Sequence, residues 1–447
     1  MGRACHWALC LLAERAASLA LDAASSPREA EVDSSEERLP VVDGDGREVL
    51  PTAEEPLARP ATAEMALDAT RSRHRDLLEH LAALQANATF SPAQYQEFID
   101  FFPVTRFNNL DPFHRYTDEA GRHDFPASTA TRLPGVMDRF DWTIMGGERF
   151  EHKKVSDPHT VWIGSSLLGM VMKEMQKWDP NRTDRVLVMN GDAWLSEVFG
   201  PPGRNPNEFE PVDQRVVEVY NQRREKIRPR VEEKVRQLRN YFGRIFFEAK
   251  DMDVQGVETM PIGFTEFFLR NGVAEHAAAA VASASLENKP GDVKGSFSFY
   301  HDLANCQRGW GEGQWLRLQA KEWSRTAAAR AGGVDSDPVE PADWWSTIAR
   351  FKFLMTPNGC GVQTPKQTEA LWVLTVPLAR RGPYSAYDDL VRYGFPMVVV
   401  DEWDEITPSN VRDWWARLSP RLVSFRENCL TSEAYWRFFT GQVTHCK

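Results

Sequence analysis

Two side chains of opposite charge, Lys366 and Glu369, stand at the start of a predicted helix toward the C-terminal end of the chain. Thr364 and Pro365 come just before them and are typical of an N-cap followed by proline at the first helical position. A helix start offers unpaired backbone N–H groups and a partial positive charge, and both favour a bound anion. The sequence therefore predicts a phosphate site with one acid beside it.

An apolar run and a turn-rich loop lead into this helix. The run 351–355 predicts a short strand, and the loop after it contains Pro357, Asn358, Gly359 and Gly361. A strand, a loop and a helix in this order place the loop backbone and the helix start together, where an anion can lie over the loop.

This stretch aligns without gaps to the signature of exostosin-like glycosyltransferases, roughly P-S/N-G-x-x-x-x-S-P-R-x-x-E-A followed by a G-x-x-P turn, and so resembles that family. The matching residues are Pro357, Asn358, Gly359, Thr364, Pro365, Glu369, Ala370 and Pro377. The resemblance is specific in this motif, and by the order of elements it extends over most of residues 295–437.

The resemblance implies a GT-B fold, in which two Rossmann-like domains face each other across a cleft. It implies that Glu369 binds the ribose hydroxyls of a nucleotide-sugar donor, a UDP-sugar, while Lys366 and the helix start hold the diphosphate. Arg308 follows the first strand of the donor domain, where family members often place a basic residue facing the diphosphate. The other residues assigned to the donor site are Asn358, Gly359, Gly361 and Thr364.

Two residues depart from the family pattern. Lys366 stands where the family prefers arginine, so a point charge replaces a bidentate fork. Leu374 stands where a glycine usually closes the turn, and its side chain could crowd the donor or be absorbed by repacking.

Apolar runs alternate with helical stretches, which predicts an α/β fold with doubly wound parallel sheets. Ser91 and Pro92 predict the start of an early helix, and 216–242 is the longest predicted helix. The predicted strands are 160–164, 185–189, 244–248, 257–262, 295–300, 351–355 and 396–400.

Ligands of such folds lie at the carboxyl ends of the strands, so donor and acceptor are expected to meet in the cleft. Inverting transfer needs a carboxylate or histidine within hydrogen-bond reach of the acceptor hydroxyl. Asp192, after the strand 185–189, is the first candidate base, and His159, just before the strand 160–164, is the second. Asp111 and His114 are weaker candidates.

Three other interpretations of the function stay open. Asp251 and Asp253 form a D-x-D pair after an apolar strand, as in GT-A transferases that hold a divalent metal on the donor diphosphate. Lys366 and Leu374 motivate the second, a relative that binds nucleotide or carbohydrate without turnover. The third is glycoside hydrolysis by a carboxylate pair, for which no two acids stand out.

The composition suits two domains with substantial cores: 447 residues, 42% hydrophobic and 11% aromatic, with a net charge of −11. The acidic balance argues against nucleic-acid binding, which needs a basic surface. The expected partners are a nucleotide-sugar and a glycan or glycoprotein acceptor. Beyond that cosubstrate, no cofactor and no metal is expected.

The chain divides into five predicted parts. Residues 1–24 resemble a signal or anchor, although Glu14 and Arg15 interrupt the apolar run, and 25–75 predict a disordered, acidic, stem-like segment. Residues 76–287 are the predicted acceptor domain, 288–430 the donor domain and 431–447 a C-terminal helix or tail.

The cellular location stays open on this pattern. A signal or anchor at the N-terminus would place the protein in the Golgi or secretory lumen, with membrane association through that segment alone, and otherwise it would be cytoplasmic. Cys306, Cys360, Cys429 and Cys446 permit disulfides but do not require them.

Overall fold

The protein has an α/β architecture, seen in a computed structural model that describes residues 90–106, 133–145, 150–200, 215–265, 273–295, 310–359 and 361–446. The predictions for 1–24 and 25–75, and those for Asp111, His114 and Arg308, lie outside the described residues. None of the described helices is both long enough and apolar enough to cross a membrane.

The strands, numbered along the chain, are β1 Val104–Arg106, β2 Trp142–Met145, β3 Phe150–Lys153, β4 Thr160–Gly164, β5 Arg185–Asn190, β6 Phe242–Phe247, β7 Glu258–Thr259, β8 Phe264–Thr265, β9 Gly291–Gly295, β10 Val334–Asp335, β11 Phe351–Met355, β12 Val376–Arg380 and β13 Val398–Val400. The α-helices are α1 Pro92–Phe101, α2 Gly135–Asp138, α3 Leu168–Glu174, α4 Leu195–Phe199, α5 Arg215–Arg239, α6 Val273–Ser283, α7 Trp310–Trp323, α8 Ala327–Ala331, α9 Trp344–Ile348, α10 Lys366–Trp372, α11 Ala386–Arg392, α12 Pro408–Cys429 and α13 Ser432–Phe439.

The first sheet has the strand order β3-β2-β4-β5-β6-β7 among the described residues. β3 is antiparallel to β2, and the other neighbouring strands are parallel. From β4 to β6 the order follows the chain, so right-handed crossovers place the connecting helices on one face. α3, α4 and α5 accordingly share one apolar core with that face. The order reverses once, between β2 and β4, because the antiparallel β3 lies on the other side of β2, while the parallel strands β2, β4, β5, β6 and β7 follow one another along the chain.

The opposite face of the first sheet is covered from distant parts of the chain. Trp162, Val186, Val188 and Phe246 alternate along β4, β5 and β6 with residues of the first core and join a second apolar core instead. This second core also contains residues of α1, α13 and the second sheet. The ring of Phe439, in α13, lies 5.7 Å from that of Trp162 and 5.1 Å from that of Phe246. The two halves of the protein therefore share one core.

The second sheet is parallel throughout and has the order β10-β9-β11-β12-β13. The chain moves from β9 outward to β10 and then returns past β9 to β11. The order therefore reverses between β9 and β11, which is the switch point where ligands bind in Rossmann-like sheets. The predicted Rossmann-like character of the second half is confirmed, and β1 and β8 form a separate parallel pair.

The end of the chain joins the two halves. The Tyr435 hydroxyl, in α13, donates a hydrogen bond to the Ile262 carbonyl of the first half at 3.2 Å. Cys446 then forms a disulfide with Cys429 at the end of α12, with a Cα–Cα distance of 5.9 Å. The disulfide closes a loop that contains α13.

Leu374 lies in the left-handed region, with φ 58°, directly after α10. The Thr375 N–H donates to the Ala370 carbonyl at 2.8 Å and the Leu374 N–H to the Leu371 carbonyl at 3.2 Å, which is the Schellman pattern that glycine favours. The Leu374 side chain is buried in the shared core. Of the two expectations for Leu374, repacking is therefore the one observed, because its side chain lies at the end of α10 opposite Lys366.

Replacing Leu374 by glycine or alanine should lower the free energy of unfolding, because each change removes a buried side chain at a cost of about 2–5 kcal/mol. Glycine should cost less than alanine by about 0.5–1 kcal/mol, since only glycine relieves the left-handed backbone. Equilibrium urea unfolding of Leu374→Gly and Leu374→Ala measures the difference. A glycine variant less stable than the alanine variant would contradict this account of the turn.

Candidate functional site

The loop 356–365 after β11, here called the motif loop, begins at the switch point of the second sheet and reaches the first half. Gln363 makes this connection and is only 2% exposed. Its amide nitrogen donates to the carbonyls of Glu248 at 2.8 Å and Met260 at 2.7 Å, and its amide oxygen accepts from the Ile262 N–H at 3.2 Å. One side chain thus fixes the motif loop to the carboxyl ends of β6 and β7.

Asp192, the first candidate base, lies against the motif loop. A Cβ placed on Gly361 would stand 3.5 Å from Asp192 Oδ1 and 3.7 Å from the Cβ of Ala249. The Asp192 side chain is 50% exposed, so one carboxylate meets both the loop and solvent. The structure therefore places Asp192, the predicted base for the acceptor, next to Gly361, which the sequence assigned to the donor site.

Asp192 also belongs to a charged group at the carboxyl edge of the first half. Arg106, at the end of β1, donates from Nη1 to Asp192 Oδ1 at 2.7 Å and from Nε to Glu248 Oε1 at 2.8 Å. The Gly191 N–H donates to Glu248 Oε2 at 3.1 Å. Burial raises the pKa of Glu248, and the Arg106 guanidinium opposes that shift.

Asn358 shapes the motif loop from within. It is buried, and its side-chain amide contacts the hydroxyls of Tyr384 and Tyr387. Its backbone carbonyl accepts hydrogen bonds from Arg317 Nε at 3.2 Å and Nη2 at 3.1 Å. The sequence assigned Asn358 to binding of the nucleotide-sugar donor. In this structure its side-chain amide is occupied by the two tyrosines, so Asn358 holds the shape of the loop.

The two glycine positions 313 and 359 let α7 lie directly against the motif loop. A Cβ on Gly313 would stand 2.6 Å from the Gly359 carbonyl oxygen, too close for any other residue without a shift. A Cβ on Gly359 would stand 3.5 Å from Arg317 Nη2. Close packing of α7 therefore delivers the Arg317 guanidinium to the loop.

Thr364 is buried just before α10, whose first residue is Lys366. The predicted N-cap at Thr364 is wrong by one position, because Pro365 occupies the cap and no side chain bonds the helix start.

Two cations, Lys366 and Arg317, lie close together beside the motif loop. Burial, together with the Arg317 guanidinium, lowers the pKa of Lys366 to about 7, although Glu369 opposes the shift. Burial likewise lowers the pKa of Arg317 to about 10. The Lys366 ammonium lies 5.2 Å from the centre of the Trp344 ring, and no described residue forms a hydrogen bond or ion pair with it. An anion bound beside two buried positive charges would favour their charged forms.

Glu369 lies on the same helix, one turn after Lys366, and is 5% exposed. The Trp344 indole N–H donates to Glu369 Oε2 at 2.8 Å. Burial raises the pKa of Glu369, while Trp344 and Lys366 act in the opposite direction. The family role implies a carboxylate open to a cleft, whereas in this structure Trp344 lies against it.

His159, the second candidate base, lies at the opposite edge of the first sheet, at the amino end of β4. Its Nε2 is 3.1 Å from Asp184 Oδ2, and its backbone N–H donates to Asp141 Oδ2 at 2.7 Å. It therefore does not join Asp192 at the site.

The D-x-D pair is engaged in contacts within the protein. Asp251 is fully buried and accepts hydrogen bonds from the Ser196 N–H at 2.9 Å and from Arg224 Nε at 3.1 Å. Asp253 Oδ1 accepts from the Ser385 hydroxyl at 2.6 Å. The two carboxylates serve different partners, which disfavours a shared metal at this pair. No group of three or more His, Cys, Asp or Glu side chains within the described ranges could hold a metal ion.

Comparison with known protein families found none that matches this sequence, and no curated protein matches it either.

Arg106, Gln363 and Arg317 were not predicted from the sequence as parts of the site. Arg106 and Glu248 are 142 positions apart, so no local pattern could pair them. Gln363 lies within the motif itself. Gly313 and Arg317 are four residues apart, and this spacing indicates that they share one face of a helix.

Replacing Gln363 by methionine should lower the free energy of unfolding by about 2–4 kcal/mol, because three buried backbone groups lose their partner while the volume is kept. Urea unfolding measures the change. The matched control is Gln237→Met, because Gln237 is exposed on α5, and it should stay within about 0.5 kcal/mol of the wild type. Equal effects of the two changes would contradict a special role for Gln363.

Proposed function

We propose that this chain is an exostosin-like glycosyltransferase of GT-B architecture, with the donor site on the second sheet and the acceptor site on the first. It transfers a sugar from a nucleotide-sugar, a UDP-sugar, to a hydroxyl of a glycan or glycoprotein, with inversion and without a metal. The observation that carries the proposal is the contact at Gly361, where the motif loop from the switch point meets Asp192.

The charges beside the motif loop support a diphosphate as the ligand. Lys366 and Arg317 both have lowered pKa values, so each gains from a nearby negative charge. A diphosphate carries several such charges, and the carboxyl end of β11 is where a Rossmann-like sheet holds a nucleotide. Lys366 and Arg317 would then also stabilise the diphosphate as it leaves.

Asp192 would act as the general base. Its carboxylate takes the proton of the acceptor hydroxyl while that oxygen attacks the anomeric carbon of the donor. A new carbon–oxygen bond forms to the acceptor as the bond from the anomeric carbon to the diphosphate oxygen breaks. The half-exposed side chain suits this role, because it is held on one side and open on the other.

Ribose binding by Glu369 requires a rearrangement of Trp344. The indole N–H now donates to Glu369 Oε2, which is the kind of bond a ribose hydroxyl would make. Trp344 lies on the short helix α9 and is only partly buried, so the exchange exposes little apolar surface.

UDP should raise the melting temperature of the wild-type protein, by an amount equivalent to about 2.7 kcal/mol at one hundred times its Kd. Glu369→Gln should weaken UDP binding about tenfold to a hundredfold, because it removes charge-assisted hydrogen bonds to the ribose. Thermal-shift titration measures both. Glu340→Gln is the matched control, since Glu340 is exposed, and it should bind UDP as the wild type does. An unchanged UDP affinity in Glu369→Gln would show that Glu369 does not bind the ribose.

Lys366→Arg should remove a pH dependence from UDP binding. The pKa of Lys366 is lowered to about 7, so its side-chain amine is mostly neutral above that pH in the unliganded protein. The amine must then take up a proton when the diphosphate binds. Wild-type affinity should therefore fall as the pH rises above about 7, by up to about tenfold per unit. Arginine keeps its charge over this range, so the variant should show a flatter profile.

Titration calorimetry with UDP between about pH 6 and pH 9 compares the two proteins. The ionisation of UDP itself affects both equally and cancels in the difference. Parallel profiles would mean that Lys366 does not contact the diphosphate.

The burial of Glu369 against Trp344 favours one alternative, a relative that binds nucleotide without transferring sugar. UDP release from UDP-glucuronic acid, UDP-xylose, UDP-galactose and UDP-N-acetylglucosamine separates the two functions. Stabilisation by UDP without release from any of these donors would favour the alternative. Release that is lost in Asp192→Asn would favour the transferase.

A further inference from the structure

Arg106, Asp192 and Glu248 form a connected charged group that comes from three different segments of the first half. Arg106 donates to Glu248 through Nε at 2.8 Å and also through Nη2, and it donates to Asp192 through Nη1 at 2.7 Å. Glu248 is 1% exposed, and its other oxygen accepts from the Gly191 N–H at 3.1 Å. Both oxygens of Glu248 are therefore held by protein donors.

Asp192 differs from Glu248 in how it is held. Only Oδ1 of Asp192 accepts a hydrogen bond from a described residue, and the side chain is 50% exposed. The same oxygen is the one that faces the Cβ position of Gly361. Arg106 therefore fixes the carboxylate at one oxygen and leaves the other for a ligand.

The negative charge of Glu248 balances the positive charge of Arg106 beside Asp192. Arg106 and Glu248 are the described charged groups that bond to or lie against Asp192, from β1 and from the end of β6, and the motif loop contributes the uncharged Gly361. A lone guanidinium beside Asp192 would make the carboxylate a poor proton acceptor. Glu248 pairs with Arg106, so the guanidinium that orients Asp192 has its own balancing charge.

We infer that Arg106 and Glu248 are positioning residues for Asp192, with Arg106 orienting the carboxylate toward the acceptor hydroxyl and Glu248 cancelling the charge of Arg106. The inference rests on the proposed function, because it assigns these residues to the base of that reaction. It adds that the buried acid, Glu248, controls how readily the exposed acid accepts a proton.

The first test measures the titration of Asp192 without any substrate. Carbodiimide-driven amine labelling of the Asp192 carboxyl, followed by peptide mass spectrometry over a pH series, gives a midpoint for this exposed side chain. Glu248→Gln should move the midpoint down by about one pH unit, because Arg106 is then uncompensated. Glu258→Gln is the matched control. Glu258 accepts two hydrogen bonds from Arg244, at 2.9 and 2.7 Å, and this pair does not contact Asp192.

A midpoint that does not move in Glu248→Gln, or that moves equally in Glu258→Gln, overturns the inference whatever the activity of the protein. This outcome leaves the proposed function standing if Asp192→Asn still abolishes UDP release.

The second test measures turnover as UDP release from the four UDP-sugars. Glu248→Gln should lower kcat at neutral pH, shift the acid limb of its pH profile downward and leave KM for the donor unchanged. The double variant Arg106→Met with Glu248→Met replaces the buried pair by apolar side chains of similar size, which keeps the fold while removing the support of Asp192. It should lower kcat at least about tenfold with KM unchanged.

Wild-type kcat in the folded double variant overturns the positioning role. Wild-type UDP release by Asp192→Asn overturns Asp192 as the base, and the positioning role with it, even if the labelling midpoint shifts as expected.

Discussion

The strand order of the first sheet is the constraint on which the rest of the structure depends. Because the strands β4 to β7 follow the chain in one direction, their connecting helices cover one face of the sheet, and an apolar face remains to be buried. α1 covers it from before the sheet and α13 from after the second half. Burying this face therefore merges two Rossmann-like sheets into a single core, and it sets their carboxyl edges beside each other.

Polar contacts then fix how the carboxyl edges of the two sheets are aligned with each other. Gln363 bonds three backbone groups of the first half, and Lys250 pairs with Asp389 of α11 at 2.8 Å. Arg224 likewise forms buried ion pairs with Asp251 of the first half and Glu312 of the second. Buried ion pairs of this kind add little net stability, because desolvation offsets their attraction, but an unpaired member is costly. They consequently select one alignment of the motif loop against Asp192.

Local patterns predicted the elements well and the contacts poorly. The strand 351–355 has the predicted bounds, and Ser91 caps α1 with a reciprocal bond from Gln94, because strand periodicity and capping depend on neighbours in sequence. The placement of Asp192 at a carboxyl end also followed from topology. His159 lies away from Asp192 because it precedes its strand, and Arg106 was not predicted because its partner lies far along the chain. Those outcomes depend on tertiary pairing, which one sequence does not display.

The docking of α13 has a consequence for how the protein is made. Phe439 packs on Trp162 and Phe246, so the hydrophobic interior of the first sheet stays open until the ribosome has delivered the segment that closes it. Domains that fold as independent units mature one after another during translation. Here the earlier half completes its core only when the later half is present, because α13 covers part of the apolar face of the first sheet.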